Sequence, residues 1–173
     1  MTMRWLALAA GALLLGGCFI SDDPLIPSNA YVYPLPAQAN GDSYGWDKDT
    51  HQWKYRNAAA LRRSGDGYVL TENNEDTFFV MMPLAPNAWL VQTGGGNGQR
   101  YLYGYLERDD KGAYYSYGLD DLCTQLWAQR DSTGLQFVDD DCQPNSLDDL
   151  VALVRNHVMS AHEASAEGAY IIR

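Results

Sequence analysis

From residue 41 to about residue 138, short apolar or aromatic runs alternate with turn-forming residues. Glycine, asparagine, aspartate and proline separate these runs roughly every 8 to 13 residues, a spacing typical of antiparallel strands joined by turns. The pattern predicts a mainly β fold of the α+β class, in which an antiparallel meander forms a sandwich or a partly closed barrel. The predicted strands cover residues 53–61, 68–71, 77–82, 89–92, 99–107, 113–117 and 135–138.

Helical patterns occur in the C-terminal third of the chain. Ser146 and Asp149 form a capping box after Pro144, and apolar residues then recur at a spacing of about 3.6 residues. This pattern predicts a C-terminal helix at about 146–163 whose apolar face packs on the sheet. Residues 119–127 fit either a helix or an extended segment, and three alanines leave the run 53–61 equally compatible with a helix.

The chain contains 12 tyrosines, which concentrate in two of the predicted strands. In the segment 101–106, tyrosines occupy one face of the strand and leucines the other, because successive side chains of a strand alternate. If the leucines face the core, the phenols form an outer stripe that the next strand extends. The stripe is either a platform for a protein surface or a sugar, or it packs beneath the helix or the N-terminal segment. The candidate binding residues are Tyr101, Tyr103, Tyr105, Tyr115 and Tyr117.

The N-terminus is organised like a bacterial export signal. Arg4 is the only charged residue before Asp22, and an apolar run follows it at 5–15. This run is too short to cross a bilayer, which requires about 20 helical residues. It is typical of a signal peptide that is removed.

The apolar run ends in an aliphatic residue, two glycines and a cysteine, at positions 15–18. This motif resembles the lipobox of bacterial lipoproteins. The resemblance implies that the Cys18 thiol receives a diacylglyceryl group, that cleavage removes residues 1–17, and that the freed amine is acylated. Each buried methylene contributes about 0.8 kcal/mol, so two or three chains make the anchor effectively permanent.

Phe19 follows the cysteine, whereas aspartate there is the familiar signal for inner-membrane retention in enteric bacteria. We therefore expect the protein at the inner leaflet of the outer membrane, facing the periplasm. Residues 18–40 contain four prolines and little periodicity, which predicts a tether with a short edge strand at 31–33. Residues 41–173 are expected to form a single β-rich domain.

If Cys18 is lipidated, Cys123 and Cys142 remain as an even pair in an exported chain. An oxidising compartment favours a disulfide between them. The loop that this bond closes has about twenty residues, for which chain entropy predicts about 3 kcal/mol of stabilisation. A redox or metal role is disfavoured because the pair lacks Cys-x-x-Cys spacing.

The formal net charge of −10 comes from 22 acidic and 12 basic residues. This surplus disfavours nucleic acid, phosphate-rich lipopolysaccharide and anionic lipid headgroups as partners, because each of them is also negative. A basic partner or a neutral glycan is compatible with it.

The sequence contains no strong motif for phosphate binding, metal binding or catalysis. The glycine-rich stretch 94–98 precedes a strand and lacks the lysine of a phosphate loop, so a hairpin loop is favoured. His157 and His162 lie about 140° apart on a helix and cannot share one metal ion; His51 has no ligand set at a recognisable spacing. The acidic run 139–141 lacks the ligand pattern of a calcium loop.

We accordingly expect no cofactor, no metal and no catalytic residues. The sequence favours a lipid-anchored envelope protein that acts as a non-enzymatic binding or scaffolding module, with another envelope protein as the expected partner. The alternatives are glycan or peptidoglycan binding through the tyrosine stripe and an envelope hydrolase with an unrecognised site.

Overall fold

The computed structural model describes residues 19–94, 100–127, 135–138, 141–160 and 166–173. Within these ranges the chain forms a closed eight-stranded antiparallel barrel. The strand order is β7-β6-β5-β4-β3-β2-β11-β8, and β8 pairs with β7 to close it. The barrel strands are β2 (Gln38–Asp47), β3 (Gln52–Ser64), β4 (Gly67–Glu72), β5 (Glu75–Ala85), β6 (Ala88–Gly94), β7 (Tyr101–Arg108), β8 (Tyr114–Tyr117) and β11 (Ala166–Ile172).

The predicted mainly β fold is confirmed, and its barrel alternative is the one adopted. The turns obey the local rules that predicted them. For example, Asn73 and Asn74 both have positive φ, at 51° and 65°, as a tight two-residue hairpin turn requires. The ambiguous run 53–61 lies within β3, and the equally ambiguous run 119–127 is mostly helix α1 (Asp120–Trp127).

Between β8 and β11 the chain makes an excursion outside the barrel. It contains α1, the two-stranded sheet of β9 (Leu135–Val138) and β10 (Asp141–Pro144), and α2 (Leu147–Leu153), which continues as a π-helical segment, Val154–Ser160. The Ser146 hydroxyl accepts a hydrogen bond from the Asp149 backbone N–H, as the capping box predicts. The predicted helix therefore starts where expected, and its described part ends at Ser160.

Residues 19–36 pack against the barrel, although the sequence suggests that this segment is a tether. Phe19 is fully buried, Ile26 is 1% exposed, and β1 (Ile20–Ser21) pairs with β7. A 3₁₀ turn, Ser28–Ala30, follows. The suggested edge strand at 31–33 does not form; instead the Val32 N–H donates a single hydrogen bond to the Met81 carbonyl at 2.9 Å. Prolines and turns shape this segment, but buried apolar side chains hold it in place.

Two hydrophobic clusters stabilise the molecule. One fills the barrel and contains, among others, Leu61, Met81 and Leu106. The other lies outside the barrel, between the outer faces of β5–β7, the N-terminal segment and the helical excursion; Leu90, Leu122 and Leu150 belong to it. Among the described residues, the covering segments thus pack on one side of the barrel, which we call the covered side; we call the other the open side.

Among the described residues, no helix is both long enough and apolar enough to cross a membrane.

Candidate functional site

The open side of the barrel carries a group of aromatic side chains at the hairpin formed by β2 and β3. We call it the aromatic cluster, and its members are Tyr44, Trp46, Trp53, Tyr55 and Tyr115. Alternation along β2 explains the first two: Ser43 and Gly45 are buried, while Tyr44 and Trp46 are partly exposed on the opposite face.

A bulge brings the β3 members to the same face. The pairing shifts between Ser43 and Tyr44, which are matched with Asn57 and Tyr55, so Arg56 is the extra residue. One extra residue moves every side chain beyond it to the opposite face of the strand. Tyr55 therefore faces outward opposite Tyr44, and the same shift places Trp53 opposite Trp46.

Gly45 accommodates this bulge. A Cβ atom at position 45 would lie 1.9 Å from Nε of Arg56, far inside van der Waals contact. Glycine at this position leaves room for the Arg56 side chain as it lies here. The sequence Tyr44-Gly45-Trp46 thus couples two exposed rings to the small residue between them.

The rings form two contacting groups, one of Tyr44 with Tyr55 and the other of Trp53 with both Trp46 and Tyr115. Ring centroids are separated by 5.9 Å for Tyr44 and Tyr55, 5.3 Å for Trp46 and Trp53, and 5.8 Å for Trp53 and Tyr115. Interplanar angles of 81°, 64° and 53° make the contacts edge-to-face or tilted, the arrangement that aromatic quadrupoles favour. The cluster is held by its own packing.

Ala169 of β11 lies between the two halves of the cluster. It pairs with Tyr44 on one side and with Tyr115 on the other, and it is 6% exposed. A small side chain at this position lets the rings from β2, β3 and β8 meet above β11. Tyr55 stands at the margin and is 58% exposed.

Polar contacts order the tip of the hairpin. Asp47 accepts hydrogen bonds from the backbone N–H groups of Asp49 and Thr50, at 3.0 and 2.7 Å, and forms an ion pair with Lys54. The hydrogen bond from Lys54 and those from Thr50 hold the pKa of Asp47 well below its usual range. The ring of His51 packs edge-to-face against the ring of Trp46, with ring centroids 6.4 Å apart.

Tyr115 is the member of the predicted tyrosine stripe that belongs to this cluster. Burial and the negative charge of Asp109 raise the pKa of its phenol, which donates a long hydrogen bond of 3.4 Å to that carboxylate. The backbone N–H groups of Lys111 and Ala113 also donate to Asp109, so the turn after β7 fixes the Tyr115 hydroxyl.

The other predicted tyrosines lie on the covered side. Tyr101, Tyr103 and Tyr105 share the outer face of β7, opposite Leu106 in the barrel interior, as the alternation predicts. Tyr103 is fully buried and Tyr105 is 3% exposed, while Tyr101 and Tyr117 are partly buried. Tyr103 and Tyr105 are therefore packing residues, and the alternative in which the stripe is covered applies to them.

Hydrogen bonds to its hydroxyl tie Tyr103 to the N-terminal segment. This oxygen accepts from the Leu25 backbone N–H at 3.0 Å and lies 2.6 Å from the Ser21 hydroxyl. Burial raises the pKa of Tyr103, and these hydrogen bonds offset part of that shift. Tyr105 donates to Glu107 at 3.1 Å and packs on Tyr117, with ring centroids 5.2 Å apart. Burial, followed by the Glu107 charge, raises the pKa of Tyr105 well above its ordinary value.

Cys123 and Cys142 form the predicted pair, with sulfur atoms 2.12 Å apart. The bond joins α1 to β10, and Phe19 forms an isolated backbone bridge with Cys142. The disulfide therefore lies in the covering layer, which consists of the N-terminal segment and the helical excursion, on the covered side of the barrel. Cys18, the predicted lipidation site, lies outside the described residues, as do His162 and positions 139–140 of the acidic run.

Within the described ranges, no group of three or more histidine, cysteine, aspartate or glutamate residues is placed to hold a metal ion. His51 lies at the hairpin tip and His157 in the π-helical segment, so the structure does not bring the two together.

The barrel interior has little free space. An apolar cavity of about 50 Å³ lies inside the barrel and is lined by residues of all eight barrel strands, among them Ala39, Ala59 and Tyr170. This volume is too small for a lipid or a drug-sized molecule.

Four members of the aromatic cluster were missed from the sequence: Tyr44, Trp46, Trp53 and Tyr55. A signal for them exists, since each pair of aromatics has one residue between its members and the two pairs flank the polar turn segment 47–52. That arrangement fits a hairpin with aromatic residues on one face. The bulge at Arg56, which brings the pairs into register, leaves no such signal.

Comparison with protein-family models, with curated proteins and with solved structures finds no match to this chain.

Proposed function

We propose that this protein is a lipid-anchored, non-enzymatic binding module of the bacterial cell envelope that holds a partner protein through its aromatic cluster. The lipobox at 15–18 supports the anchor. The proposed location is the inner leaflet of the outer membrane, with the barrel in the periplasm. A permanently anchored module acts on molecules within reach of that membrane.

The observation that carries this proposal is the partly exposed aromatic cluster on the open side of the barrel. Tryptophan and tyrosine are enriched among the residues that dominate protein-binding energies, because they bury a large area and retain a polar tip. Here five such rings are held by mutual contacts on paired strands, so little side-chain entropy is lost on binding.

The shape and charge of the surface favour a protein. The outer surface of a closed barrel is convex, and the rings of the cluster are tilted against one another by 53° or more. A protein surface has pockets that accept such edges, whereas a glycan that covers several rings at once requires them to be coplanar. The net charge of −10 favours a partner with a basic surface.

The test uses the full chain expressed in a Gram-negative host and captured from solubilised membranes. Wild type is compared with Trp53→Ala, which removes the ring that joins Trp46 to Tyr115, and with Phe78→Ala as the control. Phe78 is also an exposed aromatic residue, at 45%, but it lies on β5 away from the cluster. We expect one identified partner that wild type and Phe78→Ala recover equally and Trp53→Ala recovers at least about tenfold less.

Two results contradict the proposal. One is equal recovery of every protein with all three chains, which means that the cluster binds nothing specific. The other is an intact mass of the native protein that shows an uncleaved leader, or a cleaved chain without acyl groups, because the module would then lack its anchor. A Cys18→Ala chain provides the unacylated standard for that measurement.

A further inference from the structure

A second surface lies beside the aromatic cluster. It is a groove of about 610 Å³ over the outer face of β2, β3 and the turn between β4 and β5. We call it the amide groove, because four of its lining residues are asparagines. Its lining includes Asn40, Asn73, Asn74, Ala58, Ala60 and Tyr55.

The floor of the amide groove is low because alanines occupy the outward positions of β3. Ala58 pairs with Asp42 of β2, and Ala60 pairs with Asn40 of β2 and Thr71 of β4. The side chains on both neighbouring strands are therefore longer than the two alanine methyl groups that lie between them. This difference in side-chain length produces a trough across the barrel wall.

The polar groups along the trough suit hydroxyl groups of a ligand. Each asparagine amide offers two donors and one acceptor oxygen on a short side chain. Asn73 and Asn74 are held in place by the hairpin turn, in which both have positive φ. Tyr55 stands at the end of the groove as a 58% exposed ring beside the amides.

The charged residues of the groove lining are Arg56, Arg173 and Asp42. Arg173 forms an ion pair with Asp42. The net charge of −10 on the whole chain disfavours phosphate or an anionic polymer as the ligand.

An extended peptide does not suit this surface either. Strand addition requires an unpaired edge, and β2 and β3 are each paired on both sides in the closed barrel. Recognition in the groove must therefore come from side chains: amides for hydroxyl groups and one exposed ring for an apolar ring face.

We infer that the amide groove binds an uncharged oligosaccharide, with Tyr55 contacting the face of one sugar ring and the asparagines bonding to its hydroxyl or acetamido groups. This site is separate from the protein-binding role proposed for the aromatic cluster and does not depend on it. The two share only Tyr55.

The test measures binding of three neutral tetrasaccharides, built from N-acetylglucosamine, from β-linked glucose and from α-linked glucose, to the purified full chain. Ligand-observed NMR detects weak binding, and calorimetry gives the dissociation constant. Tyr55→Ala removes the stacking ring. Ala60→Ile fills the floor with a residue that strands favour, so its fold is expected to be retained.

We expect at least one tetrasaccharide to bind to wild type and its affinity to fall about tenfold in both variants, because loss of a ring contact or of shape complementarity has roughly this effect on a small site. Phe78→Ala, the control away from the groove, should bind like wild type. Far-ultraviolet circular dichroism of each variant verifies the fold.

Absence of binding of all three sugars to wild type would overturn the inference, as would equal affinity in wild type and Ala60→Ile. An equal loss in Phe78→Ala would also overturn it, because nonspecific stacking on any exposed ring would then explain the signal. Ala60→Ile leaves Trp46, Trp53 and Tyr115 intact, so failure of the sugar site and failure of partner capture are distinguishable.

Discussion

The two outer sides of this barrel use the same residue types for opposite purposes. On the covered side, the outer faces of β6 and β7 lie beneath the N-terminal segment and the helical excursion, and Tyr103 is fully buried there. On the open side, Tyr44, Trp46 and Trp53 are partly exposed, and Tyr55 is 58% exposed. Tyr103 and Tyr55 both face away from the barrel interior.

This comparison shows that a strand pattern determines which way a side chain points, while its exposure depends on what packs over it. The covered tyrosines have hydrogen-bonding partners for their hydroxyl groups, as buried phenols require. The open aromatics mostly contact one another and leave ring area accessible. The difference predicts large stability effects on one side of the barrel and smaller ones on the other.

The largest effect is expected for Tyr103→Ala. The substitution removes a fully buried ring and leaves the Leu25 N–H and the Ser21 hydroxyl without this partner. Truncation of a buried aromatic residue costs about 3–5 kcal/mol. Urea unfolding followed by tryptophan fluorescence measures the change. A loss below about 1 kcal/mol would mean that the covering segment does not hold this ring in solution.

Removal of the disulfide comes next. The bond between Cys123 and Cys142 spans 19 positions in the covering layer. The double variant Cys123→Ser with Cys142→Ser should lose about 2–4 kcal/mol, mainly because its unfolded chain gains entropy. Thermal unfolding of oxidised and reduced wild type provides the comparison. Identical transitions for the two forms would contradict the role of the bond in fastening the covering layer.

Alkaline pH should lower the free energy of unfolding, because the buried phenols ionise more easily in the unfolded chain. Only part of this loss is expected below pH 11. Burial raises the pKa values of Tyr103, Tyr105 and Tyr170 in the folded state. A group whose pKa is higher when folded contributes its full stability below the unfolded pKa, about 10 for tyrosine, and loses it progressively as the pH rises toward the folded pKa.

We therefore expect a constant melting temperature from about pH 8 to pH 9.5 and a fall from about pH 10 upward, measured by calorimetry. Tyr170→Phe removes one of these phenols and should make that fall shallower. A melting temperature that rises above pH 10 would contradict the sign of the linkage.

The smallest effect is expected on the open side. Trp53→Ala removes two ring contacts, with Trp46 and Tyr115, from a partly exposed cluster. Each aromatic pair contributes about 0.5–1.5 kcal/mol, so the loss of two pairs should cost about 1–3 kcal/mol, which is less than the cost expected for Tyr103→Ala. The same urea unfolding assay as for Tyr103→Ala measures it. If the two variants lost equal stability, the distinction between a covered and an open side would be wrong.

Local sequence patterns predicted much of the barrel. The strand at 135–138 has the predicted bounds, and the runs 68–71, 77–82 and 89–92 lie within slightly longer strands. These segments bring their own apolar residues and end at turn residues with fixed backbone preferences. Their existence is therefore a local property.

Strands β2 and β11 were not predicted from the sequence. β2 contains two glycines, two aspartates and few apolar residues, so its residues do not favour a strand by themselves. It is held because β3 and β11 pair with it on both sides. β11 follows the helical excursion and returns to the barrel only after a long connection. No local sequence pattern predicts this return.

The candidate site was likewise predicted only in part from the sequence. Sequence reasoning found tyrosines that alternate along strands and included Tyr115, but it centred on the residues of β7 that the fold covers. The aromatic cluster depends on the bulge at Arg56 and on the small Ala169 between its halves. Both are relations between strands, so they became visible only once the pairing was known.

By itself, the amino-acid sequence determined the mainly β class, most strand positions, the cap of α2 and the orientation of alternating side chains, because each of these follows from interactions among residues near one another in the chain. The tertiary structure decided that the sheet closes into a barrel, that residues 19–36 pack on it, and that one aromatic face is covered while another is open. Those outcomes depend on which distant segments exclude water from which surface, and burial of that kind is a property of the assembled fold.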